Sequence, residues 1–348
     1  MNVIDLFSGP GGIALGFQKY ANVIAAVDAS TDAMDTYIEH TPNASHLNTD
    51  IRLVDFTRYC GKVDLVCGGP PCQPFSLGGL RQADVDNRNM IPEFVRCVRE
   101  CEPEMFLMEN VPGLVSKKTR PYFDETLEKF RRLGFTINWS ILYAPDYGVP
   151  QKRRRLFVLG SRNRMLYFPK ATHGPDADVP HPVSKDYISK VPLGDPPNSP
   201  VRYARSPDLR KSPYAGHIYN GGGRPIDLDA PCHTILASSG GYKTHWIDTE
   251  GIAPRYHAHL MNGGMPWEGK VPGARRLSTL ECSIIQTFPE EMFFAGTRSS
   301  QYTQIGDAVP PRMAAALAES LDNQFRGIES ELKPVDADAT LLQGRLFV

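Results

Sequence analysis

Between residue 2 and about residue 168, short β-branched runs alternate with amphipathic stretches of helical period, and this rhythm constrains the fold more than any other feature of the chain. NVIDLF is followed by IALGFQKY, VIAAVD by TDAMDTYIEH, VDLVCGG by NMIPEFVRCVREC, and MFLMENV by YFDETLEKFRRLG. Successive strands separated by helices run parallel, because each return crosses the sheet through a helix. The alternation therefore predicts an α/β chain with a doubly wound, mostly parallel, Rossmann-like sheet, to which INWSILYA and RLFVLGSR add further strands.

Past residue 170 the composition changes. Residues 170–275 hold seven of the nine histidines, many prolines, and the runs Gly221-Gly222-Gly223 and Gly240-Gly241, which predicts a second, smaller domain of loops and short strands. Helical signals return at STLECSIIQTF and at PPRMAAALAESLDNQF, where Pro310 and Pro311 suit a first helical turn. The expected organisation is a discontinuous first domain, 1–169 plus 276–330, around a second domain at 170–275, with a patternless tail at 331–348.

Formal net charge is −1, so a strongly basic nucleic-acid-binding tail is excluded and any phosphate contact must come from local patches. Seven cysteines without a CxxC pair, and an N-terminus lacking a basic and then apolar leader, point to a reducing cytoplasm. No apolar run approaches the ~20 residues that span a bilayer, so no membrane partner is expected.

Chemistry-bearing residues fall where strands end. The first strand runs into Ser8-Gly9-Pro10-Gly11-Gly12 and a helix, which suits either an adenine-nucleoside site or a plain tight turn; the dinucleotide pattern GxGxxG is missing. Asp28 and Asp50 follow the next strands, as ribose-binding carboxylates or as solvated loop acids. Gly68 to Ser76, GGPPCQPFS, puts Cys72 in a proline-bounded loop suited to hold a thiolate, whereas Cys67 in the strand reads as a buried inert thiol. Glu109 ends the strand MFLMEN at the same rim, and a thiol beside an acid suits covalent attack on an electron-poor ring. In Gln151-Lys152-Arg153-Arg154-Arg155, strand alternation sends Arg153 and Arg155 to one side, either to meet phosphate and base oxygens or as a solvated basic loop.

DLFSGPGG, GGPPCQPFS, MENV, QKRRR, RRLSTLECSIIQTFP and QIGDAVPP, in this order, resemble the signature blocks of the DNA (cytosine-5)-methyltransferase family. The resemblance implies an S-adenosylmethionine-dependent methyltransferase sheet with a target-recognition domain at 170–275. It implies transfer of the methyl group of S-adenosyl-L-methionine to C5 of a flipped-out cytosine through a covalent Cys72–C6 intermediate, leaving S-adenosyl-L-homocysteine. Glu109, Arg153 and Arg155 would join Cys72, with Glu109 on N3 and the exocyclic amine, Arg155 on O2, and Arg153 on a phosphate or the nucleophile. The methyl donor would contact Phe7, Ser8, Gly9, Gly11, Gly12, Asp28, Asp50, Ile51, Pro71, Asp307 and Ala308. Gln73 and Ser76 would touch the surroundings of the flipped nucleotide, with Arg224, Lys243 and His245 as base readers in the major groove.

The same resemblance implies a monomer acting on double-stranded DNA, free-standing or beside a separately acting restriction endonuclease, and no metal, since His257-x-His259 lacks further ligands. Three positions depart from the family pattern: Asp28 where Glu is more common, Asp307 where Asn is usual, and Ile284 where Arg is usual. Alternative readings are an RNA (transfer-RNA) cytosine-5 methyltransferase and a catalytically disabled DNA-binding homologue.

Overall fold

The computed structural model describes residues 1–71, 88–188 and 199–328. Two compact units emerge: one comprises residues 1–143, 154–171 and the stretch from Pro311, the other residues 144–153 and 172–310.

In the first unit, β1 (Asn2–Leu6), α1 (Gly12–Phe17), β2 (Asn22–Asp28), α2 (Thr31–His40), β3 (Ser45–Asn48), β4 (Leu65–Gly68), α3 (Ile91–Cys101), β5 (Met105–Asn110), α4 (Arg120–Arg132), β6 (Thr136–Tyr143) and β7 (Arg154–Ser161) follow one another. The strands form one sheet in the order β3-β2-β1-β4-β5-β7-β6. The first five run parallel, and β7 pairs antiparallel with both β5 and β6. The expected mostly parallel sheet is present, with an antiparallel pair at one edge.

Packing explains the unbroken apolar runs: every residue of β5 is buried, as a strand covered on both faces requires. Beneath it Phe106 stacks on Phe130 at 4.1 Å between ring centres while Phe94 of α3 meets both edge-on. Pro92 sits in the first turn of α3, where its missing N–H costs nothing, and Ile91, Phe94, Cys97, Val98 and Cys101 make its buried face.

The second unit carries α5 (Lys185–Ile188), β8 (Tyr203–Asp208), β9 (His217–Tyr219), β10 (Trp246–Asp248), α6 (Ile252–Met261), β11 (Ala274–Arg276), α7 (Thr279–Ile285) and α8 (Arg298–Asp307). Its strands form two antiparallel ribbons, β8-β9 and β10-β11, beside a core of Tyr219, Trp246, Ile252, Tyr256 and Val271. A capping box opens α7, with Ser278 and Glu281 satisfying each other's backbone amides. The chain then returns to the first unit as α9 (Pro311–Phe325). Gly16 of α1 allows this docking: a Cβ there would lie 2.5 Å from the Cβ of Ala314 and 2.6 Å from the Pro311 carbonyl oxygen.

Sheet order locates the functional edge. It reverses between β1 and β4, the switch point beside whose carboxyl ends ligands of open α/β sheets bind. Because β7 is antiparallel, its amino end, bearing Arg155, lies at the edge where β5 ends with Glu109.

Candidate active site

At the end of β1 the backbone turns sharply. Phe7 has φ 53°, a left-handed conformation that L side chains adopt at a cost, followed by Gly9 at φ 53° and Gly11 at φ 90°. Gly11 is packed on Tyr37, whose ring would lie 3.1 Å from a Cβ, whereas the space over Gly9 is open. The Gly9 amide donates to Asp28 Oδ2 at 2.8 Å, and Asp28 Oδ1 accepts from the Ser30 amide at 2.8 Å. Burial pushes the Asp28 carboxyl up despite these bonds. Ser8 Oγ is buried with no hydrogen-bond partner among the described residues, an orphan that a polar ligand at this turn would satisfy. Gly12, the first residue of α1, is buried.

Asp50 begins the turn after β3. Its carboxylate accepts the Arg52 amide at 3.0 Å and pairs with the Arg52 guanidinium, which holds it down at about 2. That pair is exposed, so releasing it to a ligand costs little. Ile51 beside it is buried in the core.

Within β1, Asp5 is fully enclosed, accepting from Tyr37 Oη at 3.3 Å and facing Cys67 Sγ at 3.8 Å. Burial raises its carboxyl from 3.8 to about 8. Between those values the folded chain holds a proton that the unfolded chain releases, so this group's contribution to stability falls as pH rises from about 4 to about 8. Thermal unfolding of the Asp5→Asn variant followed from pH 5 to 8 is expected to show a shallower decline in midpoint than the parent; equal slopes would contradict the assignment.

Two glycines shape the chain where it leaves β4 toward Cys72. A Cβ at Gly68 would collide with the Leu6 carbonyl of β1, and one at Gly69 would lie 2.7 Å from Glu109 Oε2. The loop is then pinned twice: buried Asn110 donates from Nδ2 to the Pro70 carbonyl at 3.0 Å, and the Met90 amide donates to the Pro71 carbonyl at 2.9 Å. Cys72, Gln73 and Ser76 lie outside the described residues. Pro71, next to Cys72 in the chain, thus follows a residue anchored to the strand that carries Glu109.

Glu109 and Arg155 converge. In the β5-β7 ladder Glu109 stands opposite Phe157, so Arg155, two residues away on β7, shares its face. Arg155 Nε lies 2.9 Å from Glu109 Oε1, and both side chains are mostly buried. Gly69→Ala is expected to lower the unfolding midpoint, because the obstructed carboxylate belongs to a mostly buried ion pair, while turnover falls on the order of 10²-fold through displacement of that carboxylate. Steady-state rates beside thermal unfolding read both, and unchanged turnover would contradict this placement.

Arg153, expected on a phosphate or the nucleophile, is engaged by backbone carbonyls among the described residues. Its guanidinium is wholly buried in the second unit, where Nη1 donates to the Ile235 and Gly306 carbonyls at 3.2 and 2.9 Å. Nη2 donates to the carbonyls of Asp307 and Ala308 at 3.3 and 2.9 Å. Gln151 completes the knot, receiving the Ile235 amide at 2.9 Å and donating to Gln286 Oε1 at 2.5 Å. Gln286 in turn donates to the carbonyls of Ile305 and Ala308. Asp307 and Ala308 therefore meet Arg153 through their backbone, and the Asp307 side chain is exposed. Sequence reasoning passed over Asn110, Gln151 and Gln286, although each sits in a signature block; a polar amide in an otherwise apolar or turn-forming run was the available signal.

The three expected base readers separate. Lys243 is exposed in a tight turn beside the Gly221-Gly222-Gly223 loop, whose Gly223 amide donates to the Tyr242 carbonyl at 3.1 Å. Arg224 is half-buried. His245 does not present its ring for reading: it is buried, Nδ1 accepts the Arg224 amide at 3.1 Å, and Nε2 donates to the Thr234 carbonyl at 3.2 Å. Burial lowers it to about 4, keeping the ring neutral. His257 and His259 likewise each meet a backbone carbonyl, of Arg210 and Met265. Among the described residues no group of three or more His, Cys, Asp or Glu is placed to hold a metal, and no helix is long and apolar enough to cross a membrane.

The fold superimposes on those of solved methyltransferases. These include the Schizosaccharomyces pombe Dnmt2 methyltransferase, with a TM-score of 0.67 at 18% identity over 94% of this chain and 99% of that one. The Entamoeba histolytica methyltransferase EhMeth gives 0.65 at 17% identity over 95% and 99%. At that identity the likeness shows the fold alone. The model of the C-5 cytosine-specific DNA methylase family matches residues 1–323, and the chain belongs to that family. Its relatives include the Type II methyltransferase M.AplI of Arthrospira platensis, 30% identical over 92% of this chain and 85% of that protein. The Type II methyltransferase M1.HphI of Haemophilus parahaemolyticus is 30% identical over 92% and 86%.

Proposed function

We propose that this chain methylates C5 of cytosine within a specific sequence of double-stranded DNA, with S-adenosylmethionine as methyl donor and Cys72 as covalent nucleophile. The observation that carries this reading is the Glu109–Arg155 pair at the rim to which Pro70, two residues before Cys72, is tied. The donor fits the β1 turn on the strength of the orphaned Ser8 hydroxyl and the open space above Gly9. Phe7, Ser8, Gly9, Gly11, Gly12, Asp28, Asp50 and Ile51 would hold it, and when bound it supplies an electrophilic methyl group. In this reading residues 170–275 serve as the target-recognition region, with Arg224 and Lys243 as its base readers, and the protein works in the cytoplasm beside DNA.

C5 of cytosine is a poor nucleophile until something adds to C6. The Cys72 thiolate makes that addition, forming the S–C6 bond and moving an electron pair into the ring. The negative charge arriving at N3 is neutralised by a proton from the Glu109 carboxyl, with Arg155 turning to O2. Once C5 carries the methyl group, its proton passes to water, the electron pair expels the Cys72 thiolate from C6, and the N3 proton returns to Glu109. None of these atoms is reachable in a duplex, so the base must be extruded, at about a few kcal/mol. Arg153, whose guanidinium also bridges carbonyls of its own unit, would meet a phosphate or the nucleophile.

Duplex DNA bearing 5-fluorocytosine tests the scheme, because fluorine cannot leave C5 as a proton would and the adduct persists. The expected result is a protein–DNA band that survives denaturation and requires S-adenosylmethionine. A band on RNA alone would move the substrate to RNA, and none on either would mark a disabled homologue. The Type II names of the relatives further support a companion restriction endonuclease acting separately on the same DNA sequence.

A further inference from the structure

One arginine that no signature block contains reaches toward the proposed donor site from behind. Arg96 lies on α3, just outside its buried face. Its Nη2 donates to the Ile51 carbonyl at 2.8 Å and its Nη1 to the Val54 carbonyl at 3.1 Å. These carbonyls bracket the single tight turn Ile51–Leu53 that follows Asp50. The guanidinium is itself held, by Glu93 at 2.7 Å from Nε and by Glu100 at 2.9 Å from Nη1, and it lies 5.4 Å from the centre of the Phe56 ring. Glu100 extends the brace by accepting the Phe56 amide at 3.2 Å.

The turn needs such a brace. A three-residue helical turn gains little from its own hydrogen bonds. Its outer side offers no support, since Leu53 is 79% exposed and the Asp50–Arg52 pair faces solvent. Among the described residues, Ile51, Val54 and Arg96 anchor it inward. A planar guanidinium reaches two carbonyls and two carboxylates at once, which an ammonium cannot do with the same fixed geometry.

We propose that Arg96 is a positioning residue for the methyl donor, fixing the Asp50–Val54 turn in the shape that receives the adenosyl end. The inference rests on the reading that Asp50 and Ile51 contact the donor. Arg96 touches neither donor nor cytosine; it removes the ordering that binding would otherwise have to supply.

Titration calorimetry with S-adenosylhomocysteine tests it on Arg96→Met, which keeps the stem and loses the donors. The dissociation constant is expected to rise about tenfold. The KM for S-adenosylmethionine should follow it, while kcat at saturating donor stays within about twofold. Amide hydrogen exchange at Leu53 and Val54 should quicken in the variant. Arg96→Lys should recover part of the affinity, and it reads the same quantity should the Met variant not fold. Wild-type affinity in folded Arg96→Met, or a fall in kcat without a change in donor KM, would overturn the proposal. Asp50→Ala and Ile51→Ala separate the two levels. If they weaken binding and Arg96→Met does not, Arg96 alone is refuted; if they too bind normally, the donor is not on this turn and both readings fall.

Discussion

Cys72→Ala is expected to abolish methyl transfer, by on the order of 10⁴-fold or more, while S-adenosylhomocysteine still binds and the chain still folds. The size follows from the chemistry: without addition at C6, C5 has no electron density to offer the methyl group, and the scheme holds no second nucleophile. Cys72→Ser should be nearly as damaging, since a hydroxyl is almost entirely protonated at neutral pH whereas a thiol is partly ionised. The surroundings of the loop make the variant informative, because Pro70 and Pro71 are held by Asn110 and Met90 through main-chain carbonyls, which a substitution at 72 leaves in place. Labelled methyl incorporation into duplex DNA, read beside calorimetric binding of the product, measures both quantities. Turnover retained in the alanine variant would remove Cys72 from the mechanism.

Glu109→Gln is expected to lower kcat by about 10²- to 10³-fold with a smaller change in KM for DNA, because charge at N3 appears only as the thiolate adds. The variant also leaves Arg155 beside an amide instead of a carboxylate, in surroundings where both side chains are mostly buried. Breaking such a pair by truncation costs about 3 kcal/mol or more, so Glu109→Ala should unfold earlier than Glu109→Gln, which keeps the volume and can still accept a bond. A double-mutant cycle with Arg155→Met separates folding from chemistry. Coupling of about 1 kcal/mol or more in stability is expected, since the partners stand 2.9 Å apart. A kcat within about tenfold of the parent in Glu109→Gln would contradict the role given to the acid.

Much of this was legible in the sequence because the physics is local. Buried parallel strands must be apolar throughout, so NVIDLF, VIAAVD and MFLMEN announce themselves, and their carboxyl ends carry Asp28 and Glu109 to one rim. Two elements escaped for the converse reason. α8 is built largely from polar residues. α6 opens at Gly251 without a side-chain cap; its start is fixed from the preceding strand, where the Asp248 carboxylate accepts the Ile252 and Ala253 amides.

Side-chain fate was harder to read than backbone. Strand alternation places Arg153 and Arg155 on the same side, but Arg155 belongs to β7 and pairs with Glu109, while Arg153 precedes that strand and is engaged by four carbonyls of the second unit. His245 shows the same limit: a polar residue in a glycine-rich stretch looks free to read bases, yet its ring serves to tie Arg224 to Thr234. Arg96 was invisible because nothing in its own helix marks it; its meaning lies in two carbonyls more than forty positions earlier.

The reaction itself is read most directly from DNA of cells expressing the protein, mapped at single-base resolution by a method that separates 5-methylcytosine from N4-methylcytosine and N6-methyladenine. The expected result is 5-methylcytosine at one position of a recurring short sequence, absent from cells expressing Cys72→Ala. A map with no modified cytosine in any sequence context, from cells that contain the folded protein, would contradict it.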